Sequence, residues 1–179
     1  PAGSINKNLK EAEELTVRDL VYCLLLEQAN DAAIAIAEHV AGNMNAFVEL
    51  MNQRAKQIGC DHTEFANVHG LDNMDQHTTA RDMAKIAAEA VKNDDFREAF
   101  GTVEYKVPET NRSEERPLLT TNYLIDNHIL QVYMDERVTG GMQSYVSAAS
   151  GAGLVCTAKS RDERMNYVMV VLGSPRTYT

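Results

Sequence analysis

The chain has 179 residues, 44% of them apolar, and carries 17 lysines and arginines against 26 aspartates and glutamates, a formal charge of −9. That length suits one domain, or part of a larger one, with room for a real core. The negative balance along the chain argues against duplex nucleic acid and anionic membrane surfaces, which bind through clustered lysine and arginine. Cys23, Cys60 and Cys156 form no zinc-type pair and cannot all join in disulfides. The apolar run at 20–26 is far short of the ~18–20 residues of a bilayer span.

Residues 1–14 are polar and rich in lysine and glutamate, a surface connection. The chain opens on Pro1-Ala2-Gly3, with neither an initiator methionine nor a signal sequence. From Thr16 a helix is well signalled, with Thr16 as cap and Asp19 as its capping-box partner. The run 20–26 is apolar on every face, which predicts the central helix of the domain. Asn30-Asp31 offers a fresh N-cap for a helix of small residues, 32–37. Met44, Phe47, Val48, Met51, Ala55 and Ile58 fall on one helical stripe, and Gly59 is a plausible stop. After a turn-rich loop, Thr79 with Asp82 opens another helix, whose Met83, Ile86, Ala87, Ala90 and Val91 face inward.

Beyond residue 100 the texture changes. Residues 105–108 and 118–125 read as short extended pieces around a charged loop. Residues 154–158 and 167–172 read as strands joined by a charged hairpin turn. Helices first and antiparallel strands last make an α+β pattern, with residues 15–100 helical and 101–179 mostly strand and loop. A lone hairpin is marginal in water, so partner strands are expected outside this chain.

Local motifs alone leave the function open. His39, His62, His69, His77 and His128 fit no metal-binding frame, and surface or loop-stabilising roles are favoured about four to one. Ser4-Ile5-Asn6-Lys7 matches Ser-x-x-Lys, in which a serine sits one helical turn from an activating lysine, but no apolar helix surrounds it. Cys23 and Cys156 lie within apolar runs, where thiols are inert.

The segment Leu15-Thr16-Val17-Arg18-Asp19-Leu20, followed by Leu24-Leu25-Leu26-Glu27-Gln28-Ala29-Asn30-Asp31-Ala32-Ala33, is more specific. So are Thr63-Glu64-Phe65-Ala66-Asn67-Val68-His69-Gly70-Leu71, His77-Thr78-Thr79-Ala80-Arg81-Asp82, Thr120-Thr121-Asn122 and Leu154-Val155-Cys156-Thr157-Ala158-Lys159. In this order they resemble the low-molecular-weight penicillin-binding proteins, the serine-type D-alanyl-D-alanine carboxypeptidases of peptidase family S11. The resemblance runs from residue 15 to Pro175. It implies an α+β penicillin-binding, β-lactamase-like transpeptidase fold, with the first sheet strands and the nucleophile helix expected before Pro1.

The same resemblance implies an acyl-enzyme reaction on peptidoglycan stem peptides ending in D-Ala-D-Ala, and reaction with β-lactams. It implies no cofactor, no metal and no nucleic-acid partner, and a protein working outside the cytoplasmic membrane after a signal sequence. Three motifs carry that chemistry. Gly3-Ser4-Ile5 is similar to the family's Gly-Ser-Ser loop, which makes Ser4 a decoy and leaves no nucleophile in the chain. At the Ser-x-Asn position Gln28-Ala29-Asn30 keeps the asparagine and replaces the serine; glutamine cannot relay a proton as a hydroxyl can. At the Lys-Thr-Gly position stand Gln143-Ser144-Tyr145, or Met142-Gln143-Ser144 one residue earlier. Neither register has the lysine, so the terminal carboxylate loses a charge-assisted contact. Two expectations follow: a carboxypeptidase with altered motifs, or a relative that binds cell-wall peptide without turnover.

Overall fold

The computed structural model describes residues 5–126, 128, 131–145, 147 and 150–175. Five helices come first: α1 (Val17–Glu27), α2 (Asn30–Ala41), α3 (Met44–Gln57), α4 (Ala80–Ala90) and α5 (Asp94–Phe100). Five strands follow: β1 (Glu104–Val107), β2 (Arg116–Leu119), β3 (Val138–Tyr145), β4 (Ala152–Lys159) and β5 (Asn166–Ser174). β1 and β2 form an antiparallel ribbon, and β3-β4-β5 an antiparallel sheet in that order. The α+β expectation holds, helices first and strands last.

The caps form as their residues dictate. The Thr16 hydroxyl accepts from the Asp19 amide at 3.1 Å, and the Asp19 carboxylate accepts from the Thr16 amide at 3.3 Å, a complete capping box. Thr79 does the first half of this for α4, its hydroxyl accepting from the Asp82 amide at 3.1 Å. α1 is the core helix: Leu20, Tyr22, Cys23 and Leu26 are buried against α2, α5 and the β1–β2 ribbon. Tyr22 and Tyr105 stack face to face at 3.7 Å between ring centroids, tying α1 to β1.

Three elements differ from expectation. The helix α5 escaped the sequence reading, although Asn93 caps it and Asp94 and Asp95 fill its first turn. The piece expected to be extended over 118–125 stops at Leu119. The Asn122 side chain accepts from the Leu124 amide at 3.1 Å and turns the chain there. β3 supplies the third strand of the C-terminal sheet, so the hairpin β4–β5 is not alone.

The end of α5 meets β3 backbone to backbone. An added Cβ on Gly140 would lie 2.8 Å from the Phe100 carbonyl oxygen, and one on Gly101 2.5 Å from that of Thr139. A Gly140→Ala variant is therefore expected to lose about 1–3 kcal/mol, the range for overpacking. A urea-unfolding midpoint measures it.

Candidate functional site

α1 ends at Gln28, whose backbone is left-handed (φ 58°, ψ 36°) and whose amide donates to the Leu24 carbonyl at 2.9 Å. Helices usually place glycine in that conformation, because a Cβ there is crowded. Here the side chain is held: Gln28 Nε2 donates to Thr121 Oγ1 at 3.0 Å. Two residues on, Asn30 opens α2. It is buried, its amide donates to the Ile5 carbonyl at 2.8 Å, and its carboxamide meets no hydrogen-bond partner among the described residues.

The expected N-cap at Asn30-Asp31 is corrected. Ala29 is the N-cap and offers no side-chain bond. Asp31 turns instead to the N-terminal segment, its carboxylate accepting from the Lys7 and Leu9 amides, each at 3.0 Å. Lys7, in a stretch that forms no helix, places its Nζ 2.6 Å from Oε2 of Glu27 at the end of α1. The lysine of the Ser-x-x-Lys match is thus engaged in an ion pair; Ser4 lies outside the described residues.

Gln143, Ser144 and Tyr145 sit on β3 opposite Leu154, Gly153 and Ala152 of β4. β3 is an edge strand of the described sheet, so its other side offers unpaired backbone groups. Gln143 is half-buried, while Ser144 and Tyr145 are exposed. Between this strand and the Gln28 turn runs the 120–126 segment. The Thr121 amide donates to the Leu26 carbonyl at 3.1 Å, and Thr121 Oγ1 receives Gln28. The next residue, Asn122, is fully buried, and an added Cβ on Gly141 would lie 2.5 Å from its Nδ2. Residues 121–122 are therefore a strut from the Gln28 turn, 93 residues away in sequence at the Gln28–Thr121 contact, to Gly141 on β3, two residues before Gln143. Nothing local in the sequence announces that pairing.

The His77–Asp82 stretch builds structure. Asp82 is buried and its carboxylate accepts from the His62 amide (2.9 Å), Thr63 Oγ1 (3.1 Å) and Lys85 Nζ (3.1 Å). Burial alone would raise its pKa; the His62 amide, Lys85 and Thr63 outweigh burial and hold it below the usual carboxylate value. His77 pairs backbone to backbone with Glu64, and His69 Nδ1 accepts from the Leu71 amide at 3.3 Å. His128 lies between Asp126 (3.2 Å) and Glu104 (3.0 Å). Among the described residues no group of three or more histidines, cysteines or acids is arranged to hold a metal.

The three cysteines are buried and free. Burial pushes the Cys23 thiol up to about 11 and raises Cys60 and Cys156 as well. All three are expected to resist Ellman's reagent in the native protein at pH 8 and to react only on denaturation. A fast native thiol signal would contradict this burial.

The family described as D-alanyl-D-alanine carboxypeptidase matches residues 2–176. The D-alanyl-D-alanine carboxypeptidase DacC of Escherichia coli is 33% identical over 173 residues, covering 96% of this chain and 40% of that protein. DacF of Bacillus subtilis is 30% identical, covering 93% of this chain and 40% of that protein. The crystal structure of a D-alanyl-D-alanine carboxypeptidase from Mycobacterium tuberculosis superposes with TM-score 0.81 at 25% identity, covering 96% of this chain and 61% of that one. Penicillin binding protein 5 of Haemophilus influenzae gives TM-score 0.81 at 28% identity, covering 98% of this chain and 47% of that one. The chain spans about two fifths of the length of these curated relatives.

Proposed function

The chain belongs to the D-alanyl-D-alanine carboxypeptidase family, and from that premise we propose that it recognises D-Ala-D-Ala-terminated cell-wall peptide without turning it over. The observation that carries the reading is the pair of glutamines at positions 28 and 143. On β3 the open edge can pair with an extended peptide. Gln143 can donate a neutral hydrogen bond to the terminal carboxylate, weaker than the charge-assisted bond a lysine would make.

Acyl transfer needs a hydroxyl nucleophile, a base beside it and a proton relay. Lys7 is bound to Glu27, and Gln28 stands where the relay hydroxyl belongs. The nucleophile of a working family enzyme would come from chain other than these 179 residues. A second reading, an active carboxypeptidase with altered motifs, draws support from Asn30, which keeps its place at the start of α2 with its carboxamide unspent. By the same family reasoning the protein works in the cell envelope; among the described residues no helix is long and apolar enough to cross a membrane.

The test is a titration with N-acetyl-D-Ala-D-Ala, followed by amide chemical shifts. Saturable shifts centred on β3 are expected, with several-fold tighter binding in Gln143→Lys, because the added cation meets the carboxylate. Absence of any shift on β3 would sink the reading.

A further inference from the structure

Three bonds join the end of β2 and the residues after it to the end of α1. The Leu119 amide donates to Glu27 Oε1 at 3.1 Å, the Thr121 amide to the Leu26 carbonyl at 3.1 Å, and Gln28 Nε2 to Thr121 Oγ1 at 3.0 Å. The first two fix residues 119–121 through their backbone; only the third reaches the Gln28 side chain. That side chain starts from a left-handed backbone, which a non-glycine residue keeps only where its surroundings hold it. A carboxamide carries its oxygen and nitrogen on one trigonal carbon, so anchoring Nε2 on Thr121 turns Oε1 away from that residue. Gln28 is half-buried, and its Oε1 meets no donor among the described residues.

We propose that Thr121 is a positioning residue of the peptide site, acting through Gln28 to select an amide link over an ester. This role rests on the peptide-recognition reading above and adds the class of bond recognised. A relay hydroxyl at position 28 would hand its proton to the leaving nitrogen, so a group standing there faces the N–H of the D-Ala-D-Ala link. Gln28 Oε1 accepts that N–H. An ester puts an oxygen in its place, with lone pairs and no proton, against an acceptor whose neighbouring nitrogen is tied to Thr121. The opposite orientation, with Nε2 toward the ligand, would favour the ester.

The experiment is a calorimetric titration with N-acetyl-L-Lys-D-Ala-D-Ala and its ester counterpart N-acetyl-L-Lys-D-Ala-D-lactate. The amide is expected to bind about ten-fold tighter, the effect of leaving a half-buried acceptor without a donor. Thr121→Val removes the hydroxyl and keeps the backbone bond to Leu26, so it should fold and cut the preference to about three-fold or less. Thr121→Ser should restore it. Gln28→Gly, which suits the left-handed turn, should erase it, and adding Thr121→Val to that variant should change nothing further. The side-chain amide protons of Gln28 should move toward the chemical shifts of an exposed glutamine in Thr121→Val and stay in place in Thr121→Ser. A full preference that survives in Thr121→Val, or in Gln28→Gly, overturns the role of Thr121. Equal affinity for the two ligands, or tighter binding of the ester, overturns the selection while the peptide reading stands. Failure of both to bind overturns the peptide reading and this role with it.

Discussion

Glu13→Ala is expected to destabilise the fold by about 3–5 kcal/mol, the cost of leaving one partner of a buried ion pair without the other. The Glu13 side chain is 1% exposed and its Oε1 lies 2.6 Å from Arg116 Nη2, itself only 11% exposed. The same oxygen accepts from Thr110 Oγ1 at 2.7 Å, and Oε2 accepts from the Lys10 amide at 3.0 Å. Arg116 Nη1 is already buried without a partner among the described residues, so removing Glu13 strands the guanidinium. For a chain of this size the melting point should fall by about 6–20 °C.

The pH dependence gives the same test a sign. Burial pushes the Glu13 pKa up, but the Thr110 hydroxyl, the Lys10 amide and Arg116 outweigh it and hold the carboxyl below its ordinary value of 4.5. A depressed folded pKa contributes stability that is fully present above the ordinary value and is lost as pH falls through the folded one. The gap between the native chain and Glu13→Ala should therefore be full at neutral pH and shrink below about 4.5. A gap that widens in acid would contradict the ion pair.

Leu26→Ala is the second large effect, expected at about 2–5 kcal/mol by loss of buried surface and creation of a cavity. Leu26 is 1% exposed at the centre of the apolar cluster. Its carbonyl also accepts the Thr121 amide, so truncation acts where the strut meets α1. Chemical denaturation measures the first effect. Faster hydrogen exchange of the Thr121 amide, relative to amides of α3, measures the second. A small, uniform change would mean that the two places are not joined through this residue.

What the sequence revealed and what it hid divide along physical lines. Local chemistry was legible: Thr16 with Asp19, and Thr79, cap the helices they were expected to cap. The apolar run behind Thr16 is the core helix because a helix without a polar face must be buried. α5 was missed because it is only seven residues long and four of them are charged, although Asn93 signals its start and Phe96, Ala99 and Phe100 share one face. β3 was invisible to periodicity because Gly140-Gly141 interrupts its pattern.

The candidate site was legible only as positions. Gln28, Asn30, Gln143, Ser144 and Tyr145 could be named from the family resemblance, but the strut between them could not. Gln28 finds Thr121 through tertiary packing, and Asn122 fits against Gly141 because that residue lacks a Cβ. Asp31 shows the reverse case. Its type fitted a helix cap, yet the fold uses its carboxylate to fix Lys7 and Leu9.

The central claim, recognition without turnover, is tested most directly by intact-mass spectrometry of the chain after incubation with benzylpenicillin, alongside assay of D-alanine release from N-acetyl-L-Lys-D-Ala-D-Ala. The account predicts saturable peptide binding, an unchanged protein mass and no D-alanine. A stoichiometric penicilloyl adduct, or D-alanine released at a rate proportional to protein, would contradict it.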